Sequence, residues 1–350
     1  MLSTSTPSRR MSRRQLLACI PGSLGLAPKL SAWAAESVCD VSIGTLLQGQ
    51  LVEPSGEEYC RTYQGSLPVF QAASLAKPVV ATLVLKRVLQ GQLALDQPVG
   101  ELLPDGYVHR QNLFSLHESP RVDVVPAEVL KTLTIRHLLS HTSGLPNWSD
   151  HGPLRPATPP GTRWRYSGEG YVLLQHILFA QTGTPLHELA ASEVFEPLGM
   201  RHSAFKLTDH IAPYLVPGRS SSGEVRQMRF HYEIAASSLY TSAQDFARFM
   251  AATLGDEPLV RLITQNPVPV AGAEGVQWGL GWAIERSNSG HAIWHWGNNP
   301  GFRALAMANL QSKNAVVILT ATEAGMPQAK AIVRRVLPGA HPGLDLSLVN

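Results

Sequence analysis

From the stretch Ser74-Leu75-Ala76-Lys77-Pro78-Val79-Val80-Ala81-Thr82-Leu83-Val84-Leu85-Lys86-Arg87-Val88-Leu89-Gln90-Gly91 the rest of the chain falls into order. Leu75, Val79, Val80, Leu83, Val84 and Val88 recur at helical spacing, which predicts a helix over 74–90. Gly91 stands just past its end, where a helix C-cap favours glycine. At the first turn Ser74 and Lys77 are three residues apart, on one face and within hydrogen-bonding reach. A serine hydroxyl is a poor nucleophile until a neighbour takes its proton. A lysine can do so only if burial or a nearby cation lowers its pKa toward neutrality. The free N–H groups of a helix start also favour negative charge developing on a reacting carbonyl. By itself the pattern is weak, since S-x-x-K is expected about once or twice by chance at this length. Ser203-Ala204-Phe205-Lys206 repeats it without a clear helix behind it.

Outward from the helix, apolar patterning predicts short strands over 41–47 and 59–63 on its N-terminal side, with a Gly/Pro-containing turn between them. On the C-terminal side come helices over 135–140, 170–182 and 185–194, interrupted by a Pro-rich loop over 153–160. From 277 the period changes to strands, over 277–284, 292–296, 302–309 and 315–321, and a helix near 327–336 follows. Strands at both ends of a helical middle predict an α/β fold: a sheet domain made of residues 35–92 and 231–350, with a helical domain, 93–230, inserted into it.

The first 34 residues read differently. Arg9, Arg10, Arg13 and Arg14 precede an apolar stretch over 16–30, and Ala32-Trp33-Ala34 supplies a small-residue cleavage signal. Ser12-Arg13-Arg14-Gln15-Leu16-Leu17 resembles a twin-arginine export signal, so the precursor is expected to meet the Tat machinery, be cleaved near Ala34 and reach the periplasm. A stable membrane anchor is not expected, because the apolar run is short and broken by Pro21 and Pro28. These residues hold five basic side chains and no acid, so removing them takes the net charge from +3 to −2, which offers no nucleic-acid surface. Cys39 and Cys60 remain; an oxidising compartment permits a disulfide between them, and two separate thiols fit the sequence equally well.

Further motifs stand in order: Gly91-Gln92-Leu93-Ala94-Leu95-Asp96-Gln97-Pro98-Val99, Thr134-Ile135-Arg136-His137-Leu138-Leu139-Ser140-His141-Thr142-Ser143-Gly144-Leu145-Pro146, Tyr166-Ser167-Gly168-Glu169-Gly170-Tyr171, Glu196-Pro197-Leu198-Gly199-Met200 and His295-Trp296-Gly297. With these the chain resembles the serine hydrolases related to class C β-lactamases, together with their D,D-peptidase and esterase cousins, over about residues 41–336. The resemblance implies a β-lactamase/transpeptidase-like fold, an antiparallel sheet flanked by helices with an inserted all-helical domain. It implies Ser74 as nucleophile, Lys77 as its base and Tyr166 as partner in the proton transfers. The backbone N–H groups of Ser74 and Asn298 correspond to the oxyanion hole, and His295-Trp296-Gly297 to the strand that lines the cleft. No cofactor or metal is implied, and the substrate is a small molecule or peptide.

The departures bear on substrate. Gly168 stands where β-lactamases and D,D-peptidases keep an asparagine that donates to the substrate's amide. His295 replaces a lysine, so a fixed positive charge is gone or pH-dependent. Trp296 replaces a threonine and its hydroxyl. These changes weaken β-lactam recognition while leaving Ser74, Lys77 and Tyr166 intact, and favour an esterase or D-residue-preferring peptidase over a true β-lactamase. An acyl-transferase shares every residue named, and a non-catalytic periplasmic binding protein keeping the fold is a reading of another class.

Plainer readings stand beside these. Taken alone, Ser74 is a helix N-cap, Lys77 a solvated helix lysine and Tyr166 a half-buried core residue. His295 either touches substrate or simply fills a strand position. His137 and His141 sit at i and i+4, but Leu138 stands where a metalloprotease has glutamate, so no metal is assigned. Glu169 reads as a solvated loop residue.

Overall fold

The structure, a computed structural model, describes residues 39–53, 59–114, 121–149, 152–287 and 290–349. The expected export signal and cleavage point, residues 1–34, lie outside the described residues. In chain order the strands are Val41–Leu47 (β1), Gln50–Val52 (β2), Phe70–Ala73 (β3), Tyr107–Arg110 (β4), Val122–Val125 (β5), Leu239–Thr241 (β6), Val268–Pro269 (β7), Val276–Trp278 (β8), Ala283–Ser287 (β9), Gly290–Asn299 (β10), Phe302–Asn309 (β11) and Ala315–Thr320 (β12). One sheet has the order β2-β1-β12-β11-β10-β9-β8-β7, with neighbours antiparallel. The strand from the N-terminal part thus pairs with the last strand, Val41 opposite Thr320, and closes the two ends of the chain into one sheet.

Period-two alternation explains how that sheet is covered. Ala304, Ala306 and Ala308 with Val317 and Leu319 belong to the core that holds Phe246, Ala247 and Met250 of the helix Ala243–Gly255. Leu305, Met307, Val316 and Ile318 belong to the core beneath Met326, Ala329 and Val333 of the helix Met326–Val336. Both faces are covered, so the strands read as nearly continuous apolar runs. Each buried Leu, Met, Val or Ile contributes roughly 1.5–3 kcal/mol.

The helix that follows Ser74 spans Ala76–Leu89, and Gly91 follows it at φ +73°. Helices Ile135–Leu139 and Gly168–Thr182 form as expected, the second capped by Ser167 Oγ on the Gly170 N–H at 2.9 Å. The helical region also contains an antiparallel pair, β4 with β5, which periodicity did not indicate. Its pattern is inverted: Val108, Val122 and Val124 are 60, 59 and 61 % exposed, while His109 faces Asp123 on the inner side. Two expected strands are corrected. Residues 59–63 do not pair with β1, whose hairpin partner is Gln50–Val52; Cys60 is instead tied beside it by a disulfide to Cys39 and by its N–H to Val41 O at 2.8 Å. The stretch 277–284 breaks into β8 and β9, because Gly281 takes φ +89° and turns the chain. No helix among the described residues is long and apolar enough to cross a membrane.

Candidate active site

Ser74 occupies the turn between β3 and the helix Ala76–Leu89. The Leu75 N–H closes that turn on Ala72 O at 3.0 Å, and Ala73 is held at φ +50°, a conformation costing an alanine about 1–2 kcal/mol. The turn leaves Ser74 half-buried on a cavity of about 400 Å³ whose walls include Phe114, Asn147, Trp148, Tyr166, Trp296 and Asn298. The Ser74 N–H is engaged in no turn or loop hydrogen bond among the described residues.

Beneath Ser74 lies Lys77, fully buried, its Nζ 2.9 Å from Ser74 Oγ and 2.8 Å from Ala236 O. The rings of Tyr166 and Tyr171 cover the amine at 4.7 and 5.7 Å. Among the described residues no carboxylate forms an ion pair with it. Burial without a counter-charge pushes the Lys77 pKa well below the usual lysine range. The amine is therefore held ready to accept the Ser74 proton.

Tyr166 precedes the helix Gly168–Thr182 and is clamped by His141 from both sides. The Arg165 N–H donates to His141 O at 2.7 Å, the Ser167 N–H to His141 Nδ1 at 3.1 Å, and the imidazole lies 4.4 Å from the Tyr166 ring. His141 itself has φ +56°, and burial, then the nearby Lys77 and His295, keep it neutral. Burial raises the Tyr166 pKa; the neighbouring Ser74 hydroxyl opposes that shift, although the phenol has no partner within hydrogen-bond geometry among the described residues. A protonated phenol beside a buried amine of lowered pKa can pass a proton between Ser74 and a leaving group.

The structure divides the expected substrate-binding residues. Trp296 and Asn298 line the cavity with Ser74 and Tyr166. Gly297 lies behind them: a Cβ there would stand 2.3 Å from Ala72 O, so glycine lets β10 approach β3 and carry Asn298 up to Ser74. His295 is fully buried and outside the cavity walls, its Nδ1–H donating to Trp296 O at 2.8 Å. Burial, with the Lys77 charge adding to it, pushes its pKa down to about 3, so it stays neutral over the working range and offers no switchable charge. Gly168 is also buried; a Cβ there would stand 2.7 Å from Asn147 O and 2.8 Å from the Trp148 ring. Its N–H binds Asn147 Oδ1 at 3.0 Å, and Asn147 lines the cavity.

Other expectations resolve by placement. Ser203 donates to Asp245 at 3.0 Å while Lys206 meets His187 at 2.7 Å, so the second S-x-x-K does not pair. Glu169 is not solvated: it is 1 % exposed, accepts the Ser149 N–H at 2.8 Å and lies 3.4 Å from His109. His137 Nδ1 accepts the Thr134 N–H in a capping box, and His141 serves Tyr166. Sequence reasoning missed Asn147, Trp148 and His141, although all three lie in or just after the Ser140-His141-Thr142-Ser143-Gly144-Leu145-Pro146 motif.

Comparison with known proteins follows this geometry. A family model described as Beta-lactamase matches residues 68–340. The chain is 24 % identical over 310 residues to penicillin-binding protein 4* of Bacillus subtilis, covering 76 % of this chain and 63 % of that protein. It is 30 % identical over 208 residues to esterase EstB of Burkholderia gladioli, covering 51 % and 49 %. The chain thus spans about half to two thirds of the length of these relatives. A solved β-lactamase/D-alanine carboxypeptidase from Pseudomonas syringae superposes with a TM-score of 0.68 at 18 % identity, over 88 % of this chain and 95 % of that one, which shows the common fold.

Proposed function

The chain belongs to the β-lactamase family of serine hydrolases, and we propose from that premise that it cleaves carboxylic esters with apolar acyl groups through an acyl-enzyme on Ser74. The observation that carries this reading is Lys77, buried without a carboxylate partner and 2.9 Å from the Ser74 hydroxyl, under a cavity walled by Phe114, Trp148 and Trp296. Ser74 Oγ attacks the acyl carbonyl as its proton passes to Lys77. The backbone N–H groups of Ser74 and Asn298 receive the oxyanion, and the Lys77–Tyr166 pair returns a proton to the leaving alkoxide. Water then repeats the sequence on the acyl-enzyme. A merely binding descendant would gain nothing from a buried, uncompensated lysine, which is costly to stability.

Discrimination against β-lactams follows from the same walls. A neutral, buried His295 supplies no cation to a β-lactam carboxylate, and Trp296 supplies no hydroxyl. Two such missing contacts, at about 1–3 kcal/mol each, total about 2–6 kcal/mol, roughly thirtyfold to ten-thousandfold at about 1.4 kcal/mol per decade, and the apolar surface of Trp296 adds to the preference for an ester. The p-nitrophenyl butyrate ester should therefore be hydrolysed at least about a hundredfold more efficiently than a chromogenic cephalosporin. Cephalosporin turnover with kcat/KM above about 10⁵ M⁻¹s⁻¹ would sink this reading. The Asn147 amide favours a second one, a D-residue-preferring peptidase, and D-amino-acid p-nitroanilides belong in the same assay. Export across an oxidising boundary is proposed on the leader pattern, and the Cys39–Cys60 bond supports it.

A further inference from the structure

The cavity over Ser74 has one wall that the catalytic motifs do not supply. Leu348, in the short 3₁₀ turn Ser347–Val349, lies 274 positions along the chain from Ser74, yet it lines the same cavity as Ser74, Tyr166 and Trp296. It is 43 % exposed, while its neighbour Val349 and the nearby Leu344 are fully buried. Those two belong to the core that holds Trp296 and against which Tyr166 packs. The segment is anchored just before this point. His341 Nδ1 meets Glu285 Oε1 at 2.5 Å and the Gly343 N–H donates to Glu285 Oε2 at 3.2 Å. At Gly343 a Cβ would stand 2.2 Å from the Trp294 ring, so glycine lets the backbone come this close to the indole. Held at both 343 and 349, the strap presents Leu348 between an exposed Ser347 and the buried Val349.

We propose that Leu348 is a specificity-determining residue that gauges the length of the acyl chain carried by Ser74. The proposal rests on the acyl-enzyme reading of this cavity. An aliphatic chain leaving Ser74 between Trp296 and Phe114 has Leu348 as an apolar limit. A side chain with a branched tip is suited to close a pocket end, and each methylene gained or lost in such a pocket changes selectivity by roughly tenfold or more.

The test compares the full-length parent with Leu348→Ala and Leu348→Trp, each checked for folding by circular dichroism. Two readouts are taken for every protein: kcat/KM for p-nitrophenyl acetate, butyrate and octanoate, and the labelling rate of Ser74 by ethyl- and octyl-chain fluorophosphonates. Leu348→Ala should raise the octanoate-to-acetate ratio about tenfold and Leu348→Trp should lower it by a similar factor, with the long-to-short labelling ratio moving the same way. Ratios within about twofold of the parent in both folded variants would overturn the proposal. If Ser74 is labelled but no ester is hydrolysed, the esterase reading fails alone, and the labelling ratios still decide the role of Leu348. No labelling at Ser74 would remove both.

Discussion

At the residue scale the proposed machinery is the Ser74 hydroxyl, a buried amine and a phenol held in place by an imidazole. Ser74→Ala should abolish fluorophosphonate labelling and leave less than about one per cent of the parent turnover, since losing a covalent nucleophile costs orders of magnitude. The pH dependence follows from Lys77. Its pKa is driven well down by burial, so kcat/KM should level off on the alkaline side of that lowered value. Activity should fall as pH drops through that lowered value; a limb near 10 would show that the lysine is solvated and not the base. His141 holds Tyr166 through the backbone on both sides and through its ring. His141→Ala should lower kcat by about a hundredfold with KM little changed, because small misplacements of a proton donor are expensive. His141→Asn should restore part of that loss, since asparagine tolerates the positive φ and offers an acceptor for the Ser167 N–H. Equal losses in both variants, with equal loss of stability, would reduce His141 to a folding residue.

At the element scale, the helix Ala76–Leu89, β11 and the helix at 326–336 were legible because their periodicity coincides with what they bury. The helix Ala243–Gly255 was legible but unread: Ser242 caps Asp245 N–H, and an apolar face follows. The β4–β5 pair was not legible, because Val108, Val122 and Val124 face outward while the polar His109 and Asp123 pair on the inner side. Site residues on motif positions could be read; Asn147, Trp148 and Leu348 could not, since their roles arise from packing against Gly168 and from the strap. The glycine at 168 is a case where geometry revises expectation. Restoring an asparagine there would force a side chain into Asn147 and Trp148. Gly168→Asn should cost about 1–3 kcal/mol in denaturant unfolding and gain no cephalosporin turnover, alone or with His295→Lys. The strap has its own pH signature. Glu285 raises the His341 pKa by hydrogen bonding, with burial opposing, so the stabilisation is complete below the unfolded value of about 6.5 and fades as pH rises through the folded one. The Tm difference between parent and His341→Gln should therefore shrink from pH 5.5 toward pH 9.

At the scale of the whole molecule, the chain's two ends are joined by β1 and β12, and the Cys39–Cys60 bond ties the entering segment to that seam. A crosslink over a separation of 21 residues removes conformational freedom from the unfolded chain, which corresponds to about 3 kcal/mol. Replacing both cysteines by serine should lower the denaturant midpoint, with a somewhat steeper slope because the unfolded chain is then less constrained. The same bond bears on export. A twin-arginine route would carry the protein across already folded, before the thiols reach an oxidising compartment, so the sheet must close around reduced cysteines. The apolar cores on both faces of the sheet are large enough for that. The cysteine-free variant should consequently still be exported, whereas Arg13→Lys with Arg14→Lys should leave an uncleaved cytoplasmic precursor whose Cys39 and Cys60 stay reactive to a maleimide. Normal periplasmic recovery of the lysine pair would assign the general secretory route, in which the chain crosses unfolded and the disulfide forms as it folds.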